Sequence, residues 1–153
     1  MPRLLELFSG TGSIGNIFRA RGWEVVSVDC DPKMNPTIVA DIATFNYRML
    51  GGGFDALWAS PPCQMYSTAR SKAKTPRDLE GSDRLVQKIK DMIDFFHPTF
   101  SAFENPQSGI LKGRRVVDED SLRRRGLLHV FLAQQEEDQN LDERYGPTLD
   151  QVM

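Results

Sequence analysis

The chain is short of the groups that most often carry acid–base and metal chemistry: among 153 residues there are two cysteines and two histidines. Cys30 and Cys63 have neither CxxC spacing nor a histidine cluster beside them. That argues against a disulfide framework and against zinc, and it fits a reducing, intracellular compartment, cytoplasm or nucleus. Neither His97 nor His129 has the setting of a base, so no Ser-His-Asp arrangement is available. No apolar run approaches the roughly 20 residues of a membrane helix. The start, Met1-Pro2-Arg3 before Leu4-Leu5-Glu6-Leu7-Phe8, is too soon interrupted for a signal peptide, so no membrane partner is expected. There is no internal repeat. What remains is one soluble domain with 40% hydrophobic residues and a formal net charge of -2, long enough for a genuine core.

The small net charge hides an uneven distribution. Arg70, Lys72, Lys74 and Arg77 stand between residues 66 and 77 with no acid among them, and a second basic stretch runs from Lys112 to Arg125. From Glu136 onward six acids face Arg144 alone, so residues 134–153 read as an acidic tail on a domain of residues 1–133. Basic loops on a near-neutral domain can attract phosphate locally; ordinary solvated loops have the same composition.

Along the chain, short apolar runs alternate with helical periods. Strands are expected at 3–8, 24–28, 37–40, 54–59 and 99–103, and helices at 13–21 and 83–96, the second capped by Asp83. Residues 67–82 have no hydrophobic period and read as a loop, while 127–133 fits a strand or a helix equally. Such alternation implies an α/β fold: a mostly parallel sheet with helices on both faces.

Three groups of residues carry chemistry. Gly10-x-Gly12-x-x-Gly15 follows a strand, opens a helix and is followed by Asp29 at the next strand's end. Glycines let a ligand approach the backbone and a carboxylate there can take ribose hydroxyls, for a nicotinamide cofactor or S-adenosylmethionine alike; a plain structural turn is the alternative. Asp41 ends the third strand, where an acceptor for an adenine amino group or a simple loop acid could lie. Ser60-Pro61-Pro62-Cys63-Gln64 follows the fourth strand, and the prolines stop the strand and fix the direction in which the thiol leaves it. By itself Cys63 is as well read as a small buried residue, a common fate of free thiols. Glu104-Asn105-Pro106 ends the fifth strand. If the fourth and fifth strands are neighbours, a thiol and a carboxyl face one pocket beside the glycine loop.

Together these residues resemble the cytosine-C5 DNA methyltransferase family. Leu7-Phe8-Ser9-Gly10-Thr11-Gly12 is similar to its first motif, Ser60-Pro61-Pro62-Cys63-Gln64 with Ser67 to its nucleophile motif, and Glu104-Asn105 to the motif of its catalytic glutamate. The match covers about residues 4–115. The resemblance implies a Rossmann-like S-adenosylmethionine-dependent methyltransferase fold, S-adenosyl-L-methionine as cofactor and cytosine-containing DNA as partner. It implies Cys63 and Glu104 as catalytic residues. Phe8, Ser9, Gly10, Thr11, Gly12, Ser13, Asp29, Cys30, Asp41, Ile42, Ser60, Pro61 and Leu85 are then cofactor contacts. Gln64, Ser67, Arg70, Lys72, Lys74, Arg77 and Asn105 are nucleic-acid contacts, and no metal is called for.

Departures from the family are visible. Asp29 stands where the family usually has Glu, and Pro106 where it usually has Val. The family's target-recognition region, its Gln-x-Arg-x-Arg motif and its final Asn-bearing motif have no recognisable counterpart, so the chain looks like a methyltransferase shortened at the C-terminus. Three expectations follow: a minimal cytosine methyltransferase, one subunit of a split enzyme whose partner supplies target recognition, or a non-catalytic module that binds S-adenosylmethionine or nucleic acid. Intact Cys63 and Glu104 favour the two catalytic readings, and the missing C-terminal motifs favour the third.

Overall fold

The computed structural model of the protein describes residues 1–62, 76, 78–106 and 127–132. Within them the chain runs β1 (Arg3–Leu7), α1 (Ser13–Ala20), β2 (Glu24–Asp29), β3 (Ile38–Val39), β4 (Ala56–Ala59), α2 (Leu79–Phe96), β5 (Phe100–Pro106) and β6 (Leu127–Leu132), with short 3-10 turns at Pro32–Met34 and Tyr47–Leu50. The strands form one sheet in the order β3-β2-β1-β4-β5-β6, with every neighbouring pair parallel.

Why these runs become strands buried on both sides is read from their alternation. Leu4 packs with Phe18 of α1, Ala56, Trp58 and Ala102, and Glu6 on the same side reaches Gly15 of α1. Leu5 and Leu7 point the other way, into a core shared with Leu57, Ala59, Phe103 and the Val86, Ile89, Met92, Ile93 and Phe96 side chains of α2. A strand covered on both faces has no polar side to show, which is why β4 reads as a continuous apolar run and β1 departs from one only at Arg3 and Glu6. The expected α/β architecture, a parallel sheet with helices on both faces, is the one observed.

Helix ends follow local chemistry. α1 closes where the Gly22 amide bonds the Arg19 carbonyl and the Trp23 amide the Phe18 carbonyl, with Gly22 at φ 81°. That is a Schellman ending, and the accompanying apolar contact is the edge-on packing of Phe18 and Trp23, centroids 5.0 Å apart. α2 differs from expectation: it begins at Leu79, one turn earlier than Asp83. Its cap is Asp78, whose Oδ1 accepts from the Gly81 amide at 2.7 Å. α2 ends on His97 in the left-handed conformation, its amide bonded to the Ile93 carbonyl, so this histidine terminates a helix. β5 runs to Pro106, and 127–132, open between strand and helix in the sequence, is a strand. The acidic stretch 134–153 lies outside the described residues.

One buried charge-bearing group stands out. Glu6 is 2% exposed and accepts the Gly15 amide on Oε1 at 3.0 Å, while Oε2 has no partner. A Cβ at Gly15 would overlap this carboxyl, so glycine is required there for α1 to lie against β1. Burial raises the Glu6 pKa above 4.5, outweighing the opposing Gly15 hydrogen bond and the Arg19 charge. The folded state therefore holds the proton more tightly than the unfolded one. The stability this proton brings is complete below about pH 4.5 and is lost as pH rises through the raised value. Glu6→Gln keeps an acceptor for Gly15 and does not titrate. In urea unfolding of the two proteins, the variant is expected to gain on the wild type as pH rises from about 4.5 to about 7.5, by at most about 1.4 kcal/mol per pH unit. A difference constant with pH contradicts this.

Candidate active site

The chain returns across the sheet between β3 and β4, so the connections leaving β1 and β4 diverge. Between those two strands, at their carboxyl ends, lies the topological switch point where open α/β sheets bind ligands. Four segments meet at this edge: the loop after β1, the end of β2, the residues after β4, and the end of β5.

The loop after β1 is held in an unusual backbone path. Phe8 has φ 57°, Gly10 49° and Gly12 73°. A bulky residue in the left-handed region costs about 1–3 kcal/mol and persists only where its surroundings impose it. Here the Ser9 amide bonds the Val28 carbonyl at 3.3 Å, the Gly12 amide bonds the Ser9 carbonyl at 2.8 Å, and Phe8 packs against the α2-side core. The Thr11 and Ser13 hydroxyls bond each other at 2.9 Å. A Cβ on Gly10 would meet nothing within 4 Å, so the loop's outer side is open.

Asp29 is the clamp on this loop. Its Oδ2 accepts the Gly10 amide at 2.8 Å and its Oδ1 accepts the Asp31 amide at 2.9 Å. A carboxylate has about four acceptor positions, so two remain for ribose-type hydroxyls. Cys30 beside it is exposed. Asp41 is exposed and turns back to accept the Ala43 amide at 2.9 Å. Ile42 is 2% exposed in the α2-side core, which leaves only its backbone to face a ligand, and Leu85 of α2 packs half-buried on that core.

On the other side of β1, Ala59 pairs with both Leu7 and Phe103. The Ser60 amide continues the pairing to the Leu7 carbonyl at 3.2 Å, and its hydroxyl donates to Glu104 Oε2 at 2.9 Å. Trp58 Nε1 donates to Ser60 Oγ at 3.1 Å. Pro61 is buried and Pro62 exposed. β4 and β5 are therefore neighbours, as a shared pocket requires, and Glu104 stands half-buried at the edge. Cys63, Gln64, Ser67, Arg70, Lys72, Lys74 and Arg77 lie outside the described residues, and Asn105 is placed by backbone alone within β5. Among the described residues no three His, Cys, Asp or Glu side chains gather as a metal site would need, and no helix is long and apolar enough to cross a membrane.

A glycine loop after β1 is clamped by the acid ending β2, and a second carboxyl stands on β5, two strands from that loop. The chain that carries them matches a family model described as C-5 cytosine-specific DNA methylase over residues 3–115. The chain belongs to that family. It is also 32% identical over 124 residues to a probable DNA (cytosine-5)-methyltransferase of Frog virus 3 (isolate Goorha), covering 72% of this chain and 56% of that protein. The chain thus spans a little over half the length of this viral relative. The C-5 methylases are generally S-adenosylmethionine-dependent enzymes, and the open loop and the free acceptor positions of Asp29 are groups of the kind an adenosyl moiety takes.

Two features of the site escape sequence reasoning. The left-handed Phe8 has no signal in residue type, since Phe is not a residue that favours positive φ. The Trp58–Ser60–Glu104 chain joins residues 44 positions apart and depends on strand adjacency. Asp29→Ala leaves the Gly10 and Asp31 amides without acceptors. Amide hydrogen exchange at both is expected to accelerate by about ten-fold or more, with about 1–3 kcal/mol lost in stability. Unchanged protection at Gly10 would contradict the clamp.

Proposed function

We propose that this protein transfers a methyl group from S-adenosyl-L-methionine to C5 of cytosine in DNA, within a cell, through a Cys63 adduct. The observation that carries the proposal is the placement of Glu104 beside Ser60 at the switch point, next to the Asp29-clamped loop. Residues 1–133 are taken as the methyltransferase domain, with β6 completing its described sheet, and 134–153 as the acidic tail.

Cofactor binding is supported by the open side of the loop at Gly10 and by the acceptor positions left on Asp29. Phe8 to Ser13, Asp29, Asp41, the Ile42 backbone and the Ser60–Pro61 edge border that space. When bound, the sulfonium cofactor would supply an electrophilic methyl, its sulfur keeping the bonding pair and leaving as a neutral thioether. Cys63 follows Pro62 directly in the sequence, and this supports reading its thiol together with the Glu104 carboxyl as one site.

The chemistry suits these groups. A cytosine flipped from the helix, at a cost of a few kcal/mol, enters the pocket. The Cys63 thiolate adds to C6, and the displaced π electrons make C5 nucleophilic. Glu104, protonated or sharing a proton with the base, stabilises the charge that develops at N3. C5 then takes the methyl, the C5 proton leaves to solvent or a base, and elimination from C6 returns the thiolate. Free Cys is mostly protonated near neutrality, and with no histidine base beside the motif the thiolate rests on the local positive charge and on substrate binding. Arg70, Lys72, Lys74 and Arg77 supply that charge and contact phosphates.

Transfer of labelled methyl from S-adenosylmethionine to cytosine-containing DNA tests the proposal. Cys63→Ser is expected to abolish transfer with cofactor affinity unchanged; full activity in this variant would remove Cys63 as nucleophile. Reversing the charges at Arg70, Lys72, Lys74 and Arg77 is expected to weaken DNA binding and to flatten its salt dependence, by up to about 0.9 in log–log slope for each phosphate no longer neutralised. An unaltered slope would place DNA elsewhere.

A further inference from the structure

The geometry points to Trp58 and Ser60 as positioning residues that fix the orientation of Glu104 and decide which of its oxygens carries a proton. The inference rests on the methyl-transfer reading for what Glu104 does, and on the hydrogen-bond chain for how it is held.

The direction of this chain is set by donor chemistry. An indole N–H can only donate, so Trp58 Nε1 gives its hydrogen to Ser60 Oγ. Trp58 is 4% exposed, which leaves that N–H little access to water. The Ser60 hydroxyl has one proton, and the carboxyl oxygen 2.9 Å away is its acceptor. Glu104 Oε2 is therefore an acceptor position. Were the proton of a neutral Glu104 on Oε2, Ser60 would accept twice and its own hydrogen would lack this partner. The arrangement puts that proton on Oε1, the oxygen that does not take the Ser60 hydroxyl.

Ser60 is itself held from two sides. Its amide is bonded to the Leu7 carbonyl, so it continues the β1–β4 pairing, while its hydroxyl crosses to β5. Trp58 sits on the same face of β4 and packs against Leu4, Ala56 and Ala102. A buried indole thus braces a half-buried hydroxyl, which braces the carboxyl. The family resemblance gives Ser60 a cofactor contact; the structure gives its side chain to Glu104.

A 13C-NMR titration of the Glu104 carboxyl in the full chain, the signal assigned by its absence in Glu104→Gln, reads this coupling whether or not the chain turns over. Removing a donor from a carboxylate favours its protonated form. Ser60→Ala is expected to tighten proton binding by Glu104 about three- to ten-fold, the scale of one partly solvated hydrogen bond to an ionised group. Ser60→Thr keeps the hydroxyl and restores the wild-type midpoint. Trp58→Phe, which keeps the apolar plate and loses the N–H, moves it the same way by less. In single-turnover methyl transfer at saturating S-adenosylmethionine Ser60→Ala slows the rate about ten-fold.

An unmoved Glu104 titration in Ser60→Ala overturns the inference and leaves Ser60 as a partner for the indole alone. Weakened cofactor affinity with an unmoved titration also overturns it and returns Ser60 to the cofactor. If Glu104→Gln transfers methyl as fast as the wild type, the role assigned to Glu104 fails and the positioning role fails with it, while the titration coupling still separates that result from an error in the hydrogen-bond chain.

Discussion

Ala59 stands opposite Leu7 on one side and Phe103 on the other, and this register through β1, β4 and β5 decides what reaches the edge of the sheet. Side chains alternate along a strand, so a slip of one residue in β5 would send Glu104 to the α2 face and Phe103 to the α1 face. The register is held by burial on both sides. Ala102 and Trp58 fill one face and Leu57, Ala59 and Phe103 the other, with no polar face for a slipped strand to present. The position of the carboxyl is thus a consequence of core packing two residues deeper in the sheet.

The opposite half of the site depends on an acid that holds the loop backbone. The loop from Phe8 to Gly12 follows a left-handed path that Phe would not choose in isolation, and Asp29 holds it by taking the Gly10 amide. At its other end the same loop opens α1 against β1, where only glycine at 15 leaves room for the buried Glu6 carboxyl. Two carboxyl groups, one at the surface and one in the core, therefore pin the glycine-rich segment from both sides. The family usually places a longer Glu at position 29; the shorter Asp lies close enough to bond the loop backbone directly.

Much of the fold is legible because doubly covered strands are apolar runs bounded by Gly and Pro, and α1 ends on a glycine where its period stops. The third strand is only Ile38–Val39, short beside the expected 37–40, and Val39 lies 55% exposed. The apolar period places the start of α2 a turn late because the first residues, Leu79-Glu80-Gly81-Ser82, include a glycine and a serine and carry little of that period. A strand over 127–132 has no period to reveal it, and pairing beside β5 settles it. Of the site, Asp29 and Glu104 are readable from their places at strand ends. The bond from Asp29 to Gly10 and the chain from Trp58 to Glu104 are not, because both arise only when strands distant in sequence become neighbours.

The most direct test of a thiol and a carboxyl acting together at this edge is covalent trapping on DNA containing 5-fluorocytosine, in the presence of S-adenosylmethionine, with the product resolved by denaturing electrophoresis. Fluorine at C5 cannot leave as a proton does, so the C6 adduct is expected to persist as a protein–DNA band that vanishes in Cys63→Ala and is reduced in Glu104→Gln. An adduct that survives Cys63→Ala, or no adduct from a protein that still binds the cofactor and the DNA, would contradict catalysis at this site.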